Sequence, residues 1–179
     1  GTIAMDPSID TKLPVLHRFF EQPNRAETGS GTRGALFYEG EFGAEFYDNV
    51  FVRIRGGTAT SWPKKAYKIE LNEDHEFQFD AELPRVTEFD QNTTYTDKSY
   101  CRAILTTELH QDSGTHSPIT FPMRVQQNGE FYSVSLYVEQ PDKDFLRRGN
   151  LDPEGVYYKA NPGSFYNSVS PFEKKTRRY

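Results

Sequence analysis

The chain has 179 residues, of which 35% are apolar and 15% aromatic, with a net charge of −5 and a pI near 5.4. This acidic balance argues against a general binder of nucleic acid or of anionic membranes, because such proteins are usually basic. No apolar run approaches the ~20 residues that a membrane-crossing helix needs, and the single cysteine, Cys101, excludes both an internal disulfide and a cysteine-rich zinc site.

Alternation of apolar and polar residues predicts most of the strands. Along 49–55, valine and isoleucine alternate with arginine, which is the period of a half-buried strand. Two later strands flank Asn128-Gly129, the strongest short signal for a hairpin turn. The predicted strands, in chain order, are a short extended segment at 11–16 and then 35–38, 49–55, 65–71, 123–127 and 131–139.

One principal helix is predicted after an acidic stretch, 72–90, which has little periodicity. Asp97 or Thr96 can cap its N-terminus, and Gly114 is a natural stop. Its apolar residues at helical spacing are Tyr100, Cys101, Ile104, Leu105 and Leu109. The four histidines (His17, His75, His110 and His116) have no metal-ligand spacing, so no metal site is predicted from them.

The order of these elements predicts an α+β fold like the small lobe of a protein kinase. This fold has a mainly antiparallel twisted sheet and one principal helix, and it leads into a second lobe. We expect an N-terminal extension or linker at 1–30, the sheet and helix at 31–140, and a linker with the start of a truncated second lobe at 141–179.

Lys68 is the first candidate for a phosphate contact. It lies two residues after Ala66 and therefore on the same face of the predicted strand, so a small residue would adjoin the purine and an ammonium group would face phosphate. Glu108 lies beside the apolar residues of the predicted helix and can pair with such a lysine. The alternative is that both side chains belong to solvated faces of their elements.

The segment after the predicted strand 49–55 offers a second anion-binding feature. Arg55 is followed by Gly56-Gly57, whose backbone amides can approach phosphate, and by the hydroxyl residues Thr58, Thr60 and Ser61. The segment lacks the pattern of a Walker loop or of an ordinary kinase glycine loop. An ordinary loop between two strands is the alternative interpretation.

Several segments, taken together and in order, resemble the CotH (spore coat protein H) kinase family of atypical protein-kinase-like domains. The resemblance covers roughly residues 45–179. The matching runs are 53–58 (RIRGGT), 62–69 (WPKKAYKI), 97–102 (DKSYCR), 128–132 (NGEFY), 137–146 (YVEQPDKDFL) and 158–159 (YK). One departure is Ser133, near which many relatives have glycine.

The resemblance implies a kinase that transfers the γ-phosphoryl group of ATP to Ser or Thr of a partner protein, with Mg²⁺ as a cofactor. It also implies a secreted, cell-surface or spore-coat location, although residues 1–6 carry no secretory signal. The cofactor-binding residues that it implies, together with the helix glutamate, are Lys68, Lys65, Lys64, Arg55, Arg102, Glu108 and Glu139.

The expected catalytic and metal-binding carboxylates of such a kinase lie after the hinge, beyond Tyr179, because Asp142, Asp144 and Asp152 are too close to the linker. We therefore expect this chain alone to be inactive. Two other functions remain open at this point: a non-catalytic surface or coat adhesion module, and a β-rich domain whose exposed aromatic residues bind sugar or peptide.

Overall fold

The computed structural model describes residues 8–160 and 172–174. By their contacts, residues divide into two units, 1–140 and 141–179. In the described parts, the β-strands are β1 Val15–Phe20, β2 Thr32–Gly40, β3 Gly43–Arg55, β4 Ala66–Glu70, β5 Glu88–Thr93, β6 Thr120–Gln127, β7 Glu130–Glu139, β8 Tyr158–Ala160 and β9 Phe172–Lys174. The helices are α1 Pro23–Ala26, α2 Arg102–Asp112 and α3 Lys143–Arg148, with a short 3₁₀ helix at Thr58–Ser61.

The first unit contains a closed barrel whose strands are ordered β1-β2-β3-β4-β5-β7-β6. Neighbouring strands are antiparallel except β1 and β6, which pair in parallel with Arg18 opposite Gln127. In the second unit, α3 begins where Asp142 accepts hydrogen bonds from the backbone of Asp144 and Phe145, and β8 pairs antiparallel with β9. No helix in the described residues is long and apolar enough to cross a membrane.

The predicted fold class, an α+β small lobe like that of protein kinases, is wrong. Seven strands form a closed mixed barrel, and the described helices are short. The decisive strand is β1, which pairs with both β2 and β6 and so removes the open edges of a sheet. Its sequence, VLHRFF, does not alternate, because its polar Arg18 is buried inside the barrel.

The predicted β-hairpin is confirmed. Asn128 and Gly129 both have positive φ, 50° and 91°, as a tight hairpin turn requires, and they join β6 to β7. The alternating sequence at 49–55 lies in β3, and that at 65–71 contains β4. The stretch 72–90, predicted to have little regular structure, ends in β5.

Aromatic side chains fill one end of the barrel. Phe77 forms an isolated antiparallel bridge with Val86 and is completely buried. Its ring lies 4.6 Å from that of Phe89, 5.0 Å from Tyr38 and 5.3 Å from Tyr47, measured between centroids. Each such burial removes a large apolar area from water, so this cluster is a main source of barrel stability.

The helix α2 differs from the prediction in its packing. Its start at Arg102 is fixed by Asp97, whose Oδ2 accepts a hydrogen bond from the Arg102 backbone nitrogen at 3.0 Å. None of its residues is buried, and the apolar side chains of Leu105 and Leu109 are 59% and 70% exposed. Periodicity therefore identified the helix but not the extent to which its apolar stripe is covered.

Candidate functional site

The outer side of β3, β4 and β5 carries a patch of alternating charges, here called the charged face. Arg53 pairs in register with Lys68, and Lys68 pairs with Asp90. The residues between them in sequence, such as Val52, Ile69 and Phe89, belong to the buried core. Because successive side chains of a strand point to opposite sides, the charged residues face outward. The charged face consists of Arg53, Arg55, Lys68, Glu70, Glu88 and Asp90.

Lys68 is held by carboxylates from its own strand and the next. Its Nζ lies 2.6 Å from Glu88 Oε2 and 4.0 Å from Glu70 Oε1, and its side chain is 19% exposed. The prediction that Lys68 faces Glu108 or Glu139 is wrong. Glu108 is exposed on α2, and Glu139 accepts a hydrogen bond from the Ile119 backbone nitrogen at 2.9 Å.

Arg55 bridges two neighbouring side chains of β5. Its Nη2 lies 2.9 Å from Asp90 Oδ2, and its Nη1 donates to Asn92 Oδ1 at 2.6 Å. Burial raises the pKa of the Asp90 carboxyl, and the Arg55 guanidinium opposes part of that rise. Asp90 Oδ1 is buried and accepts no hydrogen bond from any residue that the structure describes.

The other predicted basic residues make their contacts away from the charged face. Lys65 donates from Nζ to the Thr60 carbonyl oxygen at 2.9 Å, and Lys64 Nζ lies 5.6 Å from the centroid of the Phe131 ring. Arg102 is largely exposed, with its Nε 3.6 Å from Asp97 Oδ1. The structure therefore brings together Lys68 and Arg55 from the predicted set, and the binding role of every member stays a prediction.

The glycine-containing segment after Arg55 uses its hydroxyls internally. Thr60 Oγ1 donates to the Gly57 carbonyl oxygen at 2.6 Å, and Ser61 Oγ donates to that of Thr58 at 2.8 Å. These two hydroxyls close the short 3₁₀ turn and are not directed at an anion. The interpretation of this segment as a connection between strands is the better supported one.

Sequence analysis missed Glu88 and Asp90 because they lie at the end of the acidic stretch. A signal was present: Glu88 and Asp90 alternate with the apolar Phe89, which is the period of a strand. The run is only six residues long, and one of its core-facing positions, Gln91, is polar although it is completely buried.

The charged face has the donor chemistry of a phosphate site but not of a metal site. Lys68 has three donors on Nζ, so a phosphate oxygen and Glu88 can share it. Ala66 and Leu136 lie on the same side of the sheet as the cations but are only 3% and 4% exposed, so they are covered by the rest of the chain. Among the described residues, no group of three or more His, Cys, Asp or Glu side chains is arranged to hold a metal ion, so the residues present do not form a Mg²⁺ site.

Comparison with known proteins gives two similarities. The model of the family described as "CotH kinase protein" matches residues 52–179. The chain is 24% identical to the inner spore coat protein H of Bacillus subtilis (strain 168) over 129 residues, which are 72% of this chain and 34% of that protein. The chain thus spans about a third of the length of this curated relative.

Proposed function

Because this chain belongs to the CotH kinase protein family, we propose that it supplies the ATP-binding part of an atypical Ser/Thr protein kinase associated with a spore coat or cell surface. ATP supplies the phosphoryl group for transfer to a partner protein. The chain covers 34% of its spore coat relative, so we assign the transfer step to a longer parent protein. For the chain alone we expect nucleotide binding without phosphoryl transfer.

The observation that carries this proposal is the environment of Lys68. Its ammonium group is partly buried and lies 2.6 Å from Glu88 Oε2. Arg53 lies opposite Lys68 on the neighbouring strand β3. Lys68 binds phosphate oxygens through the Nζ donors that Glu88 does not occupy. Charge-assisted hydrogen bonds of this kind are the strong ones in phosphate recognition.

The remaining groups of the charged face have supporting roles in this proposal. Arg55, held by Asp90 and Asn92, adds positive potential next to Lys68. Ala66 lies opposite Arg55 in the pairing of β3 with β4, and its small, buried side chain adds no bulk beside the cations. The end of β7, where Glu139 is buried, is the predicted place for backbone contacts to adenine.

Calorimetric titration with ATP tests the proposal. We expect Lys68→Ala to weaken ATP binding roughly 10- to 100-fold, because a hydrogen bond to a charged group contributes about 1.5–3 kcal/mol. Lys98→Ala is the matched control, since Lys98 is exposed and its Nζ donates to the Tyr95 carbonyl oxygen. Equal ATP affinity for Lys68→Ala and the unaltered chain would contradict the proposal.

A second function, that of a non-catalytic coat or surface assembly module, is favoured by the exposed leucines of α2. Leu105 and Leu109 are four residues apart and so lie on one side of the helix. The test is the location of a fluorescently tagged parent protein in a spore-forming bacterium. Loss of coat location in Leu105→Lys/Leu109→Lys, with normal location in Lys68→Ala, would favour assembly over catalysis.

A further inference from the structure

An apolar groove of about 400 Å³ lies at the aromatic end of the barrel, outside the charged face. We call it the barrel-end groove. A smaller pocket of about 90 Å³ adjoins it and shares Tyr38, Phe42, Phe79 and Asp80 with it. The residues lining the groove that matter for its chemistry are Tyr38, Glu41, Phe42, Phe79, Asp80 and Phe121.

The floor of the groove is the outer layer of the aromatic core. The ring of Phe79 lies 5.4 Å from that of Phe121 and 4.8 Å from that of Tyr137. Phe121 stacks on Tyr137 with 4.6 Å between centroids and 13° between ring planes. Tyr137 is completely buried, so the floor is anchored in the barrel and does not collapse to fill the groove.

The groove carries negative charge. Glu41 and Asp80 contribute carboxylates, and none of the described residues that line the groove is Lys, Arg or His. Asp80 is held in place because its Oδ1 accepts a hydrogen bond from the Glu82 backbone nitrogen at 2.8 Å. An anion such as a nucleotide would be repelled here, so the groove is not a second nucleotide site.

Tyr38 lines both the groove and the smaller pocket. Tyr38 is only 4% exposed. Burial, with a smaller effect of Asp80, raises the pKa of Tyr38 from 10.0 to about 12.

We propose that the barrel-end groove binds a peptide segment of a partner protein that presents a Lys or Arg side chain next to an aromatic or aliphatic one. The cation lies over the rings of Phe79 and Phe121 and pairs with Asp80 and Glu41, while its apolar neighbour packs against Phe42. The volume accommodates a few side chains. Phe42 stands 59% exposed at the rim, which suits a chain passing along the groove.

The test is binding of immobilised dodecapeptides from a positional-scanning library to the purified chain. We expect selection of peptides with Lys or Arg beside Phe, Tyr or Leu, and depletion of Asp and Glu. The best peptide is then compared by fluorescence anisotropy with its analogue in which citrulline, which is neutral and nearly isosteric, replaces arginine. We expect the citrulline peptide to bind about tenfold more weakly.

Two exposed positions allow variants that leave the barrel intact. Glu41→Gln should weaken binding of the arginine peptide but not of the citrulline peptide. Phe42→Ser should weaken binding of both peptides. Glu130→Gln and Phe131→Ser, exposed residues of the β6–β7 hairpin, are the matched controls. Absence of any selected peptide, equal binding of the two peptides, or unchanged binding by Glu41→Gln would each overturn the proposal. Added ATP should leave peptide binding unchanged whether or not the nucleotide proposal holds.

Discussion

Arg18 donates a hydrogen bond of 2.6 Å to Gln91 Oε1 across the barrel interior, and both residues are completely buried. A second bond of 2.6 Å reaches Gln127 Oε1. The guanidinium carbon also lies 4.1 Å from the ring centroid of Tyr132 and 4.3 Å from that of Tyr67. Burial lowers the pKa of Arg18, but an arginine remains charged at neutral pH. Amide oxygens and aromatic faces therefore hold this cation.

We expect Arg18→Ala to be strongly destabilising, by about 3–5 kcal/mol, because it leaves buried amide oxygens unpaired and a cavity between two rings. Arg18→Lys should also be destabilising, since one ammonium group cannot bond both amides and stack on both rings. Urea unfolding measures both free energies. Arg25→Ala, at an exposed site in α1, should change stability by less than about 0.5 kcal/mol. A lysine variant as stable as the unaltered chain would show that charge alone suffices.

Glu88→Gln should strengthen ATP binding roughly two- to fivefold. In the unaltered chain, Glu88 competes with phosphate for Lys68 Nζ, and a partly exposed ion pair of this kind is worth up to ~1 kcal/mol. Calorimetry on the variant measures the change. Binding weakened by an order of magnitude would instead mean that phosphate recognition depends on Glu88 to position Lys68.

The free energy of unfolding of Asp90→Asn, compared with that of the unaltered chain, should increase progressively as pH rises. The pKa of Asp90 is raised in the folded state from its ordinary value of 3.8. Between the ordinary pKa and the raised pKa of the folded state, the folded chain binds more protons than the unfolded chain. The free energy of unfolding therefore falls as pH rises through this range. Asparagine removes this dependence because it does not titrate.

Urea midpoints measured from pH 3 upward in small steps would display that trend. Asp97→Asn provides a control of opposite sign, since the Ser99 hydroxyl lowers the pKa of Asp97. In the unaltered chain, the Asp97 carboxylate stabilises the folded state above its ordinary pKa, and this stabilisation is lost as pH falls through the lowered pKa. A difference between Asp90→Asn and the unaltered chain that is constant with pH would rule out a raised pKa.

Gly34→Ala should destabilise the barrel by roughly 1–3 kcal/mol, the usual effect of overpacking. A Cβ at this position in β2 would collide with the Phe19 carbonyl oxygen of β1 and lie 3.3 Å from Phe20 Cα. Backbone cannot move aside as a flexible side chain can. Gly57→Ala, where a Cβ would meet nothing within 4 Å, is the matched control for urea unfolding. Equal stability of the two variants would show that β1 and β2 are not packed this closely.

Local patterns were sufficient for the hairpin at Asn128-Gly129 and for the strand positions of Arg55 and Lys68. These features depend on neighbouring residues in sequence, either through turn geometry or through alternation. Strand phase thus placed the two cations on one face. The carboxylate that holds Lys68 could not be assigned in the same way, because Glu88 is brought to it by pairing of β4 with β5.

Barrel closure depends on contacts that a local pattern does not contain. Arg18 in β1 and Gln127 in β6 are 109 positions apart, and the pairing of these strands is parallel. The buried Arg18 also breaks the apolar pattern of β1, so the strand resembles an irregular polar segment. For α2, periodicity could not say how far its leucines are covered.

The pairing of β1 with β6 has a consequence for how this protein can be produced. The family match begins at residue 52, after β1, β2 and most of β3. An expression boundary drawn there would leave the remaining part of β3 and the whole of β6 as open edges, which are templates for intermolecular association. During synthesis the barrel likewise cannot close until β6 and β7 have left the ribosome. Until then β1 has no β6 to pair with.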